Sequence, residues 1–398
     1  MNGRSPNRPR SCDCDIVVLG GGPAGAAAAI TLARAGHSVI VIEKSKYERA
    51  RIGETLPPRA RMSLMRLGVW EAFLSGGHLS SPAVASVWGE EELRERQYVF
   101  SPYGSGWHLD RRLFDTMLIE AARQAGVNVC SDAHIVSCQP LQNGEWQVEV
   151  TFDDGADRKR RLIHAALAID ATGRVAVLAR QQGARRINTD HLVGLACMLD
   201  AGPRDGDGRA DQYGGCTLVE ASTDGWWYTA RLPGHRLIAV YMTDADLLPR
   251  SRPMRRSFWQ ARWQQTNRTR ERIEGCAVET DPCVVAANSS FLDPVAGAGW
   301  LAVGDAAAAF DPLSSQGLNH ALASAVRGAE VLIDRLKGEP QSFAAYQDEV
   351  SDTIRTYSRL SAYFYGREQR WPQSLFWLRR HARLTTRTEP AVTDYASA

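Results

Sequence analysis

The chain has 398 residues, with 47 Lys and Arg against 45 Asp and Glu and a formal net charge of +2 at pH 7. That near balance leaves no basic footprint for nucleic acid, and no run of roughly 18 apolar residues is available to span a bilayer. The length accommodates two domains around a shared core, and the eight cysteines are scattered, with only Cys12 and Cys14 close together. Reduced thiols in a cytoplasmic chain, with no zinc site, are the expectation.

Residues 1–10 are polar and basic without an apolar stretch, which predicts a disordered lead-in over 1–12 rather than a secretory signal. Asp15-Ile16-Val17-Val18-Leu19 reads as a strand, Gly20-Gly21-Gly22-Pro23-Ala24-Gly25 as a tight turn, and residues 26–35 as a helix ended by Gly36. Gly20, Gly22 and Gly25 fit G-x-G-x-x-G, in which glycine permits the turn, admits a pyrophosphate to the backbone and lets helix and strand pack closely. Residues 39–42 form the second strand, closed by Glu43, whose carboxylate stands where it can accept hydrogen bonds from an adenosine ribose. This motif does not separate NAD from FAD.

Further along, Arg111 and Arg112 open a helix that ends near Gly126, and residues 146–152 and 161–169 flank a polar turn as a hairpin. Asp170-Ala171-Thr172-Gly173 holds a turn or contacts a ligand. Alternating runs at 192–199, 216–219, 226–232 and 237–242 predict an antiparallel sheet, and the Gly/Asp-rich stretch 204–209 predicts a mobile loop near a substrate entrance. In the third run Trp226 and Tyr228 share one face and Trp227 the other, so one face either lines an indole-sized pocket or packs as ordinary sheet.

Residues 299–303 read as another strand, after which Asp305 is placed to bind a ribose or ribityl hydroxyl. Pro312-Leu313-Ser314-Ser315-Gln316-Gly317-Leu318-Asn319 opens a long helix over 320–337. Its backbone donors either stabilise negative charge on a reduced isoalloxazine or form an ordinary serine-capped helix start. After Pro340 the pattern is helical again, and residues 367–383 interleave Arg with Trp371, Phe376 and Trp377, as a partner contact or as a helix packing back on the core.

Residues 20–25, Glu43-Lys44, Ile52-Gly53-Glu54-Thr55-Leu56-Pro57-Pro58, Trp107-His108-Leu109-Asp110-Arg111, residues 169–174, Gly225-Trp226-Trp227-Tyr228, Gly304-Asp305 and residues 312–319 together carry a resemblance that runs from Asp15 to about Arg380. The chain resembles the FAD-dependent monooxygenases of the aromatic hydroxylase type and, within them, the flavin-dependent halogenase-like branch. The segments at 53–58, 107–111 and 225–228 look most like the flavoproteins that mature quinone-cofactor amine and amino-acid oxidases by oxidising a tryptophan in a partner protein. Similar segments occur in natural-product tailoring enzymes.

The resemblance implies an α/β fold. A Rossmann-type FAD-binding domain of the glutathione-reductase-like, aromatic hydroxylase type would comprise residues 13–80, 105–185 and 280–338. An inserted antiparallel β-sheet substrate domain would take 81–104 and 186–279, and a C-terminal helical segment 339–398. FAD would be held by Gly20, Gly22, Pro23, Ala24, Gly25, Glu43, Lys44, Glu54, Arg111, Asp170, Asp305, Pro312, Ser314, Ser315, Gln316, Gly317, Leu318 and Asn319. The implied chemistry is hydroxylation of an indole-type aromatic through a flavin C4a-hydroperoxide, with dioxygen (O2) as co-substrate and electrons from NAD(P)H or a separate flavin reductase.

Such chemistry asks for no triad and no metal, and the catalytic side chains stay unassigned; Trp226, Tyr228, His78 and His320 are the substrate-pocket candidates. The substrate is an aromatic small molecule or a tryptophan-bearing protein or peptide. Halogenation is disfavoured, because halogenases relay the halogen through a lysine and this chain has only Lys44, Lys46, Lys159 and Lys337. Where the relay lysine belongs stands Ser86-Val87-Trp88-Gly89, and the branch's Trp-x-Trp-x-Ile-Pro motif is reduced to its first Trp at Trp226. A reductase of the geranylgeranyl-reductase type and a non-catalytic, FAD-stabilised maturation partner remain as alternatives.

Overall fold

A computed structural model of the chain describes residues 13–48, 51–154, 157–202, 213, 215–339 and 342–385. The lead-in over 1–12 and the 204–209 loop lie outside the described residues. Five strands form the parallel heart of the first sheet, in the order Trp300–Ala302, Asp157–Asp170, Cys14–Leu19, Val39–Ile42, Asn128–Cys130. Parallel strands buried on both faces call for continuous apolar runs, and Ile16, Val17, Val18 and Leu19 are wholly buried. Each such side chain contributes about 1.5–3 kcal/mol relative to exposure. Trp146–Asp154 pairs antiparallel with Asp157–Asp170 as the expected hairpin and continues to Ala133–Pro140.

Two helices that begin beside each other cover this sheet. Pro23–Arg34 is built largely of alanine, and that small surface lets it lie close against Gly317–Leu336. Their starts meet at Gly304: a Cβ there would stand 2.8 Å from Ala24 Cβ and 3.6 Å from Ala321 Cα. Both helix N-termini are thereby directed to one region.

The second sheet runs in the order Ala277–Val278, Leu192–Asp200, Arg236–Asp244, Gly225–Leu232, Thr217–Ser222, Ala83–Val87, Arg94–Gln97. It departs from the sequence expectation in two respects. Thr217–Ser222 runs parallel to Ala83–Val87, so the sheet is mixed rather than antiparallel; the chain enters it twice, and no hairpin fixes the direction of the earlier visit. Cys283–Ala286 also joins it, against Leu192–Asp200, beyond the expected limit at 279.

One face of this sheet, with Trp226, Val240 and Met242, packs on Tyr365, Phe376 and Trp377 of the C-terminal helices Ser342–Arg367 and Leu375–Thr385. The other face, with Trp227 and Tyr241, packs on Trp259 of the helix Arg252–Trp263. The tail aromatics are therefore not a free partner surface. Phe376 and Trp377 are wholly buried, and Trp377 Nε1 donates to Ser222 O at 3.0 Å, because an aromatic with a polar edge is better satisfied in a core that offers a carbonyl. Among the described residues no helix is long and apolar enough to cross a membrane, and no cluster of His, Cys, Asp and Glu could hold a metal.

Candidate active site

The first glycine turn is clamped by its own neighbours. Gly20 has φ +100°, and a Cβ there would lie 2.3 Å from Ala171 O; at Gly25 it would lie 1.8 Å from Gly20 O. The N–H of Gly21 donates to Glu43 Oε2 at 2.7 Å while its carbonyl accepts from the Tyr47 hydroxyl at 2.9 Å. Gly22 is different: among the described residues beyond its chain neighbours, nothing approaches its absent Cβ closer than Arg51 Nη1 at 3.7 Å. Gly22 is also the N-cap of Pro23–Arg34 and makes no side-chain capping bond. The donors of the first turn, with Ala24 and Gly25 among them, are thus left to an anion.

Glu43 is buried at the end of Val39–Ile42. Its Oε1 accepts from Ser45 N at 2.9 Å and Ser45 Oγ at 2.6 Å, with Arg51 Nη2 at 3.4 Å, and Arg51 reaches on to Asp115 at 3.5 Å. Asp115 binds Arg111 Nε at 3.1 Å, and Arg111 Nη1 donates to the carbonyls of Ile52 and Gly53, both at 3.1 Å. Arg111 therefore supports the segment that carries Glu54, its guanidinium largely engaged by the chain itself. Lys44 is exposed. Neither Tyr47 nor Arg51 was singled out from sequence; Arg51 adjoins the Ile52-Gly53-Glu54 segment, whereas nothing local marks Tyr47.

Glu54 is 2% exposed; its Oε2 accepts the Gly53 N–H at 3.0 Å and its Oε1 has no partner among the described residues. Burial pushes the carboxyl up to about 7, against the pull of the Gly53 N–H and of Arg111 and Arg236. A carboxyl raised above its ordinary 4.5 contributes stability that is whole below that pH and lost as pH rises through about 7. At pH 8 the loss is about 3 kcal/mol. Glu54→Gln in the FAD-stripped protein should therefore melt like wild type near pH 4 and several degrees higher at pH 8. Parallel melting curves across that range would contradict the assignment.

Asp170 is wholly buried. Its Oδ1 accepts from Thr172 N at 3.0 Å and Thr172 Oγ1 at 2.6 Å, and its Oδ2 from Ala179 N at 2.9 Å, so the carboxylate holds the turn after Asp157–Asp170. Asp305 is the more open acid: its side chain is 39% exposed and lies 3.5 Å from Arg174 Nε. Arg186 donates to the carbonyls of Asp305 and Ala306 at 3.0 and 2.7 Å and braces this corner, a contact between distant residues that no local pattern announces.

Ahead of the helix Gly317–Leu336, Asp311 caps the short turn Pro312–Ser314 by accepting from Leu313 N at 2.9 Å, and Ser314 Oγ donates to Asp311 O at 3.0 Å. Ser315 adopts φ +51°, uncommon for a residue with a side chain. Gln316 is the N-cap of Gly317–Leu336 without a side-chain bond of its own to the helix start, and it accepts instead from Asn319 Nδ2 at 3.1 Å. Among the described residues nothing lies within 4 Å of the absent Cβ of Gly317, while Leu318 turns into the core. Two helix starts without side-chain caps, converging at Gly304, fit the pyrophosphate and the electron-rich edge of FAD.

The four substrate-side candidates have different surroundings, with Trp226 and Tyr228 on one face of the second sheet. Trp226 is wholly buried and donates from Nε1 to the Tyr365 hydroxyl at 3.1 Å. Tyr228 shares its face and meets Thr55 Oγ1 at 2.7 Å, which links the second sheet to the Glu54 segment. His320 lies one turn into the helix Gly317–Leu336, edge-on to Phe310 at 4.8 Å, with Nε2 unpartnered among the described residues; burial lowers its pKa. His78 sits among Phe73 and Phe114 in an aromatic cluster of the FAD domain, and burial lowers its pKa too.

Residues 13–360 match the FAD binding domain family. Protein LodB of Marinomonas mediterranea, provisionally named an FAD-dependent oxidoreductase, is 29% identical over 379 residues, covering 92% of this chain and 97% of its own. The tryptophan 2-halogenase of Chondromyces crocatus is 25% identical over 385 residues, covering 91% of this chain and 69% of its own. Among solved structures, the peptidyl tryptophan dihydroxylase QhpG, essential for tryptophylquinone cofactor biogenesis, superposes with a TM-score of 0.73 at 27% identity, over 93% of this chain and 79% of its own. The chain belongs to the FAD binding domain family and is a flavin-dependent oxidoreductase of the halogenase-like aromatic hydroxylase superfamily.

Proposed function

We propose that the protein is an FAD-dependent monooxygenase that hydroxylates an indole-type group, and that this group is a tryptophan side chain in a partner protein or peptide undergoing quinone-cofactor biogenesis. The observation that carries the reading is the stretch Ser86-Val87-Trp88-Gly89, which stands where a halogenase would need a relay lysine and contains none. Its Trp88 donates from Nε1 to Phe364 O at 2.7 Å and packs its ring edge-on against Trp226, Tyr365 and Trp377. The stretch thus supplies an indole and no ammonium. The likeness to a peptidyl tryptophan dihydroxylase supports tryptophan as the target.

In this reading the Gly22 turn takes the pyrophosphate, and Glu43 takes the adenosine ribose by exchanging its long 3.4 Å contact with Arg51 for a ribose hydroxyl. Asp305 takes the ribityl region, and Pro312 to Gly317 border the isoalloxazine. Bound and reduced, the flavin activates dioxygen; the chain's own part is to orient the ring, exclude water and hold the indole. Electrons come from NAD(P)H or a separate flavin reductase.

The test is to reduce the flavoprotein without oxygen, then admit labelled dioxygen together with a tryptophan-bearing peptide in chloride or bromide buffer. Labelled oxygen in the tryptophan is the expected product. Halogen in the product would reverse the argument from the lysine-free stretch 86–89, and reoxidation with no label in any indole would move the reading to a reductase or a non-catalytic maturation partner.

A further inference from the structure

The substrate sheet and the turn at Pro312–Ser314 are joined through one phenol. Trp226 Nε1 donates to the Tyr365 hydroxyl at 3.1 Å, and that hydroxyl donates to Asp311 Oδ2 at 2.6 Å. Asp311 Oδ1 accepts the Leu313 N–H at 2.9 Å, so the same carboxylate shapes the turn. An indole N–H can only donate, which obliges the phenol to accept from Trp226 and to direct its own proton to Asp311. Burial holds the phenol well above the ordinary tyrosine pKa, so it keeps that proton.

Packing alone does not require this arrangement. Trp226 is 0% exposed, Tyr365 4% and Asp311 4%, and a chain of hydrogen bonds in so dry a place is strong when complete and costly when broken. Tyr365 is itself anchored, with Trp88 and Trp377 against its ring and the Arg380 guanidinium 5.2 Å from the ring centre. Arg380 is fixed in turn by Asp244 at 2.9 Å, the last residue of the strand Arg236–Asp244. On the turn side, the Asp311 N–H donates to the Tyr357 hydroxyl at 2.9 Å, and Ser315 holds a left-handed conformation that needs support from outside the turn. Tyr365 lies beyond residue 360, where the family match ends.

We propose that Tyr365 is a positioning residue for the flavin: its hydroxyl couples the strand that carries Trp226 to the turn that seats the isoalloxazine. The inference rests on the reading that Pro312 to Gly317 border the isoalloxazine.

The experiment compares Tyr365→Phe with wild type as FAD-loaded enzymes, reading amide hydrogen exchange over residues 312–317 and the visible flavin band. Loss of the hydroxyl should speed exchange at Leu313 and its neighbours about tenfold, and shift the flavin band. Phe376→Leu is the packing control: it touches the Tyr365 ring, makes no hydrogen bond to it, and should lower the melting temperature while leaving that exchange within about twofold. Should Tyr365→Phe fail to fold, Trp226→Phe removes the donor at the far end and should speed the same amides about threefold. Wild-type exchange in these variants, or an equal change in Phe376→Leu, overturns the coupling. Faster exchange with an unmoved flavin band keeps the coupling but overturns the isoalloxazine reading on which the positioning role stands.

Discussion

Gly22→Val should leave a folded protein that binds no FAD. The backbone at Gly22 has φ −69° and ψ −173°, extended geometry that any residue adopts, so valine brings no conformational strain. Among the described residues beyond its chain neighbours, the nearest atom to its Cβ is Arg51 Nη1 at 3.7 Å, ordinary contact distance. What the methyl groups occupy is the space in front of the Pro23–Arg34 start, whose backbone donors have no side-chain cap. A pyrophosphate can reach those donors only if that space stays empty. Gly25→Val is the contrast: with Gly20 O at 1.8 Å from its Cβ, it should yield no folded chain. Calorimetric titration with FAD and circular dichroism of the FAD-free proteins separate the outcomes. The comparison must be made without FAD, because wild type is further stabilised by its ligand through mass action. Stoichiometric FAD on Gly22→Val would remove this turn from the cofactor site.

The glycine turn was legible in the sequence because each of its constraints is local: Gly20 needs a positive φ and Gly25 needs to pass close to Gly20. The strand faces were legible for a similar reason, since alternation alone puts Trp226 and Trp227 in different clusters. Pairings formed across long separations were not. Nothing near Thr217–Ser222 announces a parallel partner at Ala83–Val87, and nothing near Tyr365 announces Asp311. Asp170 was ambiguous for a physical reason: a carboxylate after a strand suits a ligand hydroxyl and a turn N–H equally, and its bonds to Thr172 and Ala179 form only in the folded chain. The tail aromatics were ambiguous likewise, because tryptophan flanked by arginine suits an interface or a core edge.

Asp244→Ala should detach the C-terminal helices from the substrate sheet at a cost of about 3–5 kcal/mol, the range for stripping a buried cation of its partner. Arg380 is 6% exposed in its side chain, Asp244 3%, and they meet at 2.9 Å; the substitution leaves the guanidinium buried with its ring contact to Phe376 and a bond to Phe376 O but no carboxylate against it. The neighbouring pair Arg379–Asp246 is a useful control. It is as short, at 2.7 Å, yet Asp246 is 55% exposed, so Asp246→Ala should change stability by less than about 1 kcal/mol. The pH dependence follows from the same geometry. Burial pushes the Asp244 carboxyl up, but Arg380 first and Arg379 second outweigh it and hold the carboxyl below its ordinary 3.8. The pair's contribution is then whole above about pH 4 and is lost as pH falls through the lowered value. Wild type and Asp244→Ala should differ most at neutral pH and converge in acid. A gap of the same size at pH 7 and pH 2.5 would mean that the aspartate acts through shape and not through charge. Because Arg380 also braces Tyr365, the variant should further loosen the Pro312–Ser314 turn, and exchange at Leu313 unchanged by Asp244→Ala would confine the ion pair to stability alone.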